Sequence, residues 1–215
     1  MGENMEKQGF KLPAVVSLQP EQINEACQVL AKAFYNIPVI EWIFPNINHR
    51  NRVLPWYLGM WVRDCLRYGK VLTTPALEGV GGWVNPENIN FSRRRLIEQG
   101  WLYAPLRLGL SSFRRAYKFK EYLGGQTNRY EPPPPYLPGT FIGVDPSCQR
   151  IGVAKALFVP YLELADREGL PCYFQTLLEK NLAIFSKFGF EVVHKRGIPR
   201  TEISIWAMIR WPKNS

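Results

Sequence analysis

The chain has 215 residues, enough for one domain with a sizeable core. Hydrophobic residues make up 46% and charged residues 21%, an ordinary globular balance, and no apolar run approaches the roughly 18 residues of a membrane span. The formal charge of +9 points to nucleic acid, to an acidic ligand such as a nucleotide, or to a solvated basic surface.

The first residues, Met1 to Gly9, are polar and lack a signal-peptide apolar region, so a loose leader over 1–12 and a soluble cytoplasmic protein are expected. Ala14 to Leu18 reads as a short strand. Ile23, Cys27, Leu30 and Phe34 recur at helical spacing, which predicts an amphipathic helix over Glu21 to Tyr35, ended by Asn36 and Pro38. A second helix is predicted from Arg50 to Tyr68, with Gly69 as its C-terminal cap. Val71 to Thr74 and Val80 to Val84 read as strands, and Gly81-Gly82 suggests a bulge or a close backbone approach.

Asn88 to Tyr130 is rich in cations and aromatics, including Arg93-Arg94-Arg95, Arg114-Arg115, Trp101 and Tyr117. It reads as a helical insertion of two helices broken near Ala104-Pro105, with a solvated basic face. A nucleic-acid surface is the weaker account, because no nucleic-acid signature accompanies the charge. Glu131 to Pro135 is a stiff spacer leading into a strand from Tyr136 to Val144, where Pro138 and Gly139 predict a bulge or a late start.

After that strand comes Gln149-Arg150-Ile151-Gly152-Val153-Ala154-Lys155, and then a helical pattern to about Glu168, with Pro160 inside it. A strand that runs through a glycine-bearing turn into a helix start presents free backbone amides and a positive dipole end, which together suit an anion. Cys172 to Thr176 is the next strand. Asn181 is a natural cap for a helix over Leu182 to Phe188, followed by strands from Phe190 and over Glu202 to Trp211. The four cysteines are scattered without a CxxC pair and only two histidines are present, so reduced thiols and no metal site are expected.

Gln149, Gly152 and Ala154 fit a Q/R-x-x-G-x-G/A loop. Ile142-Gly143-Val144-Asp145-Pro146 before it and Asn181 to Phe190 after it stand at matching spacing. In these pieces the chain resembles the GCN5-related N-acetyltransferase superfamily, and Ala33-Phe34-Tyr35-Asn36-Ile37-Pro38 through Trp42-Ile43-Phe44-Pro45 is similar, more loosely, to the first helix and following loop of a small-molecule branch of it. The resemblance implies an α/β (α+β) fold: a mixed, mostly antiparallel sheet with a splayed strand pair and helices on both faces. It also implies acetyl-CoA as acyl donor. Ile142, Gly143, Val144, Gln149, Arg150, Ile151, Gly152, Val153, Ala154, Lys155, Asn181 and Phe185 would then hold the donor, its pyrophosphate on the loop amides and its pantetheine arm beside the strand. The partner would be a small-molecule amine, with no membrane or nucleic acid, and a homodimer is left open.

Acyl transfer to an amine needs a polarised thioester carbonyl, a neutral amine and an outlet for the leaving thiolate. In the resembled family a tyrosine often protonates that thiolate, and here its position is Phe185, so Tyr136 is the substitute candidate. For the base, Glu131 and Glu78 acting through water are preferred over Glu179 and His194. Each of these carboxylates is equally the kind of residue that faces solvent. Phe185 also supports a different function, a binding module that senses acyl-CoA without turnover.

Overall fold

The computed structural model describes residues 12–90, 92–124 and 131–213. All of the expected leader except Leu12, and the end of the 88–130 segment, lie outside the described residues. Strands β1 (Val16–Ser17), β2 (Gly69–Thr73), β3 (Gly79–Val84), β4 (Leu137–Val144), β5 (Cys172–Thr176), β6 (Glu191–Gly197) and β7 (Ser204–Arg210) form one seven-stranded sheet. Its order is β1-β2-β3-β4-β5-β7-β6. Every neighbouring pair is antiparallel except β4 and β5, which run parallel. This is the mixed, mostly antiparallel sheet that the motifs implied.

Helices α1 (Ile23–Phe34), α2 (Pro38–Ile43) and α3 (Ile47–Tyr68) precede β2. Helices α4 (Arg93–Gln99), α5 (Ala104–Leu108) and α6 (Leu110–Gly124) lie between β3 and β4, α7 (Val153–Glu168) between β4 and β5, and α8 (Leu182–Ser186) after β5. Two glycines set how closely the layers approach. A β-carbon on Gly143 would meet Leu30 of α1 at 2.8 Å, and one on Gly79 would meet Val153 of α7 at 2.8 Å. Gly79 stands opposite Val144, so Gly143, one residue along, faces the other side. The helices therefore cover both faces. Leu30, Ile43, Leu54 and Tyr57 pack on the α1 and α3 side. Leu137, Leu157, Tyr161 and Phe190 pack on the α7 side.

The structure corrects several sequence expectations. Pro38 starts a short helix, since its fixed φ and missing N–H suit a first turn. Helix α3 begins at Ile47, because the Asn46 side chain accepts the His49 amide at 2.9 Å. Gly69 does not cap that helix in the left-handed region. Its φ is −168° and it pairs with Val84, where a β-carbon would meet the Trp83 carbonyl at 2.0 Å. The described residues of the 88–130 segment carry three α-helices, broken at Gly100 (φ 101°) and Gly109 (φ 71°), positions that a left-handed backbone reserves for glycine. Its Arg95 is not on a solvated face but buried against Asp64. Asn181 does not cap α8. Its backbone is already helical and its amide donates to Thr176 Oγ1 at 3.3 Å, while α8 stops at Ser186. Helix α7 does run through Pro160 to Glu168, as the helical pattern required.

Candidate active site

Strand β4 follows β3 along its length, from Gly79 opposite Val144 to Trp83 opposite Gly139, with Thr140 left over as a bulge. With β5 it pairs only at Leu137–Cys172 and Pro138–Tyr173. Beyond that point the two strands part. From Gly139 to Val144 the opened edge extends roughly 17 Å at about 3.3 Å per residue. The Pro138 ring carries no N–H to continue the ladder. The Tyr161 hydroxyl donates to the Leu137 carbonyl at 2.7 Å and secures the closed end.

At the open end β4 runs into the loop. The Asp145 amide donates to the Glu78 carbonyl at 2.8 Å. The Asp145 carboxylate accepts from Ser147 N at 3.0 Å, Ser147 Oγ at 2.7 Å and Lys32 Nζ at 2.9 Å. The Ser147 bonds, followed by Lys32, hold its carboxyl down at about 2. The Gln149 side-chain amide reaches the Val144 carbonyl at 3.5 Å. Arg150 (φ 69°) and Gly152 (φ 85°) both take left-handed conformations, and Gly152 stands at the N-cap of α7 with no side chain to offer. The first amides of α7, on Val153, Ala154 and Lys155, therefore have no acceptor within the helix or from its cap, and they share the positive end of its dipole. Val153 is buried beneath the sheet, while Ile151, Ala154 and Lys155 are exposed. The residues present fit a diphosphate: free amides, a glycine where the backbone is approached, and the cations Arg150 and Lys155 beside it.

A cleft of about 1130 Å³ passes between the parted strands. On the α7 side it is lined by Leu157, Phe158 and Phe185, and on the other by Phe34, Trp61 and Tyr122. Of the residues singled out in the sequence, Glu131, Tyr136, Ile142, Asn181 and Phe185 line this cleft. Gly143, Val144 and the 149–155 loop lie at its open end and do not line it. Glu78 does not line it either. Its carbonyl is bound to Asp145 at the loop end of the sheet, away from the closed end where Glu131 and Tyr136 stand. Phe185 sits edge-on to Phe174 with ring centroids 4.3 Å apart, in an aromatic cluster with Phe158 and Phe190.

The Tyr136 hydroxyl hydrogen-bonds the Glu131 carboxylate. Burial, followed by that carboxylate, pushes the phenol well above its ordinary range. It is therefore a weaker acid than a free tyrosine and is already engaged. Three cleft neighbours were missed in the sequence. Tyr173 stacks edge-on against Tyr136 at 5.9 Å, and burial raises its phenol to about 12. The Gln175 amide donates to the Tyr173 hydroxyl at 3.1 Å, and Arg196 donates to Gln175 Oε1 at 3.3 Å. Nothing in the local sequence of β5 or β6 marked these residues out. The strand order that brings β6 toward β5 is not written in either segment. Among the described residues no group of three His, Cys, Asp or Glu side chains is arranged to hold a metal ion.

No protein-family model matches the chain. Solved structures do. A Corynebacterium glutamicum protein described as histone acetyltransferase HPA2 and related acetyltransferase superposes with a TM-score of 0.65 at 16% identity, over 95% of this chain and 99% of that one. Arylalkylamine N-acetyltransferase 2 of Aedes aegypti gives 0.65 at 13% identity, over 93% and 99%. The yncA protein of Salmonella typhimurium, solved with its cofactor acetyl-CoA, gives 0.53 at 12% identity, over 95% and 96%. The chain has the fold of the GCN5-related N-acetyltransferases.

Proposed function

We propose that the chain is an N-acetyltransferase that moves an acetyl group from acetyl-CoA to a primary amine of a small molecule by direct attack. The observation that carries this reading is the parting of β4 from β5, which opens at one end onto the uncapped amides of α7 and through the sheet onto Glu131. The reading treats residues 1–215 as one domain, with the 88–130 segment as an insertion on the acceptor side. All four cysteines are free thiols, which suits a reducing cytoplasm.

The loop amides from Arg150 to Ala154 hold the diphosphate, with Arg150 and Lys155 adding attraction. Unpaired β4 backbone groups between Gly139 and Val144 bind the arm as an added strand would. A β4 amide toward the Gly139 end of that edge, at the far end of the arm from the loop, polarises the thioester oxygen. Asn181 and Phe185 pack along the arm from the far side. Glu131 takes a proton from the acceptor ammonium, directly or through one water; the neutral nitrogen attacks the thioester carbon, the carbon–sulfur bond breaks, and the second proton on nitrogen passes to solvent water as the amide forms. The thiolate leaves unassisted, which a thiol pKa near 8.5 tolerates. Tyr136 orients Glu131 in place of acting as the acid. Phe34, Tyr57, Trp61 and Tyr122 surround the acceptor side, so the amine carries an apolar or aromatic body. The Aedes aegypti neighbour, an arylalkylamine N-acetyltransferase, supports that class.

Phe185 favours a second reading, a sensor that binds acyl-CoA without turnover. CoA release from acetyl-CoA across a panel of aromatic and aliphatic amines separates the two. Turnover on an arylalkylamine is the expected result. Tight donor binding with no turnover on any amine establishes the sensor.

A further inference from the structure

The inward side of the α5–α6 segment is filled: Ala104, Leu108, Ala116 and Phe119 are all buried. Its outward side is apolar as well. Leu106 is 86% exposed, Leu110 66%, Leu102 61% and Tyr103 59%. Ile47, 62% exposed, opens α3 beside them, because His49 two residues on contacts the Leu108 carbonyl at 2.8 Å. Large apolar side chains concentrated in this way on one surface need a partner.

The charge around them is mostly positive, with exposed Glu121 beside Arg114 and Lys118 an exception. Trp101 to Lys120 contains Arg107, Arg114, Arg115, Lys118 and Lys120 with no aspartate or glutamate, and Ile47 to Arg63 is likewise without an acid. Some of these cations serve the fold. Arg50 is buried against Glu41, Arg115 donates to the Ile43 carbonyl, and Lys120 lies over the Trp101 and Tyr117 rings. Arg52, Arg107, Arg114 and Lys118 are exposed. Glu98, the nearest acid on α4, is taken by Arg94 and Arg67.

We propose that this surface docks on an anionic phospholipid membrane, with Leu102, Leu106, Leu110 and Ile47 entering the boundary between headgroups and acyl chains and Arg52, Arg107, Arg114 and Lys118 meeting the lipid phosphates. Exposed leucines ringed by cations are the composition of an interfacial segment that lies on a bilayer. No helix among the described residues is long and apolar enough to cross one. A second copy of the chain is a poorer occupant, because a two-fold contact would set the basic rim against itself. Nucleic acid would use the cations but leave the leucines without a partner.

The test is co-sedimentation of the full chain with vesicles of phosphatidylcholine alone and of phosphatidylcholine with phosphatidylserine, at low and physiological salt. Binding to the anionic vesicles, weakening with salt, is expected. Leu102→Ser/Leu106→Ser/Leu110→Ser should lower the partition at least about tenfold. Arg107→Glu and Arg114→Glu should each lower it about fivefold or more. An unchanged melting temperature and retained acetyl-CoA binding would show that these surface variants still fold. The proposal is overturned if the wild type ignores both vesicles at low salt. It is also overturned if the leucine variant binds as well as wild type, since the attraction is then charge alone. A concentration-dependent dimer that Leu106→Asp dissolves would assign the surface to a second copy.

Discussion

Asp64 and Arg95 form a forked ion pair, Nε to Oδ1 at 2.7 Å and Nη2 to Oδ2 at 2.6 Å, with side chains 1% and 3% exposed. The pair joins α4 to α3, and the Arg95 guanidinium also lies over the Tyr68 ring at 4.5 Å. Asp64→Ala takes the counter-charge from a buried guanidinium and should cost about 3–5 kcal/mol, measured as a fall in the urea midpoint. Asp64→Leu with Arg95→Met should recover most of that loss. Equal destabilisation in the single and double variants would mean that the electrostatic account is wrong.

Two glycines of α7 allow loop function to be separated from backbone strain. Gly152 and Gly169 both have positive φ, 85° and 64°, at opposite ends of the helix. Gly169→Ala should cost about 1 kcal/mol through its conformation alone and leave stabilisation by CoA intact. Gly152→Trp carries a similar strain and also covers the free amides, so heating with and without CoA should give the same melting temperature. Retained protection by CoA in Gly152→Trp would overturn the diphosphate assignment.

For the acid–base assignment, Glu131→Gln should lower kcat on an accepted amine by about 100-fold or more while acetyl-CoA binding is unchanged. Tyr136→Phe should keep a base and lower kcat far less than Glu131→Gln does, because the hydroxyl only holds the carboxylate in place. Glu78→Gln, away from the cleft, should behave as wild type. A large loss in Glu78→Gln alone would move the base to the loop end of the sheet.

Phe185 touches Phe174 and lines the cleft, so a hydroxyl at its para position adds one polar atom where the thiolate departs. Phe185→Tyr should leave donor affinity unaltered and raise kcat. Unaltered kcat would show that thiolate protonation does not limit the rate.

The Asp145 carboxyl sits at about 2 in the folded chain against an ordinary 3.8. A carboxyl lowered by folding stabilises the native state above its unfolded value, and that contribution disappears as pH falls from 3.8 through about 2. Acid unfolding should therefore steepen in that window, and Asp145→Asn should flatten it. Lys32→Ala should give a smaller flattening, because the Ser147 bonds, the larger cause, remain. Superimposable acid-unfolding curves for wild type and Asp145→Asn would remove this carboxyl as a contributor.

What was legible from the residues alone was local. Gly152 between an apolar strand and a 3.6-residue period specifies a turn into a helix start, and the anion preference follows from amides within a few bonds of one another. The alternation in β7 and the glycine and proline punctuation likewise placed elements to within a few residues. What only the tertiary structure decided was which distant groups meet. Glu131 and Glu78 were preferred over two other candidates on position in the chain. The bond of Glu131 to Tyr136 beside Tyr173 and Arg196, and the removal of Glu78 to the loop end, depend on β5, β7 and β6 lying in that order. Arg95 read as one of three surface arginines until α4 docked on α3 and supplied Asp64, thirty-one positions back. The gap itself is a relationship between β4 and β5 across an intervening helix. Hydrophobic period reports which face of an element is buried, but it carries no record of where a neighbouring strand stops pairing.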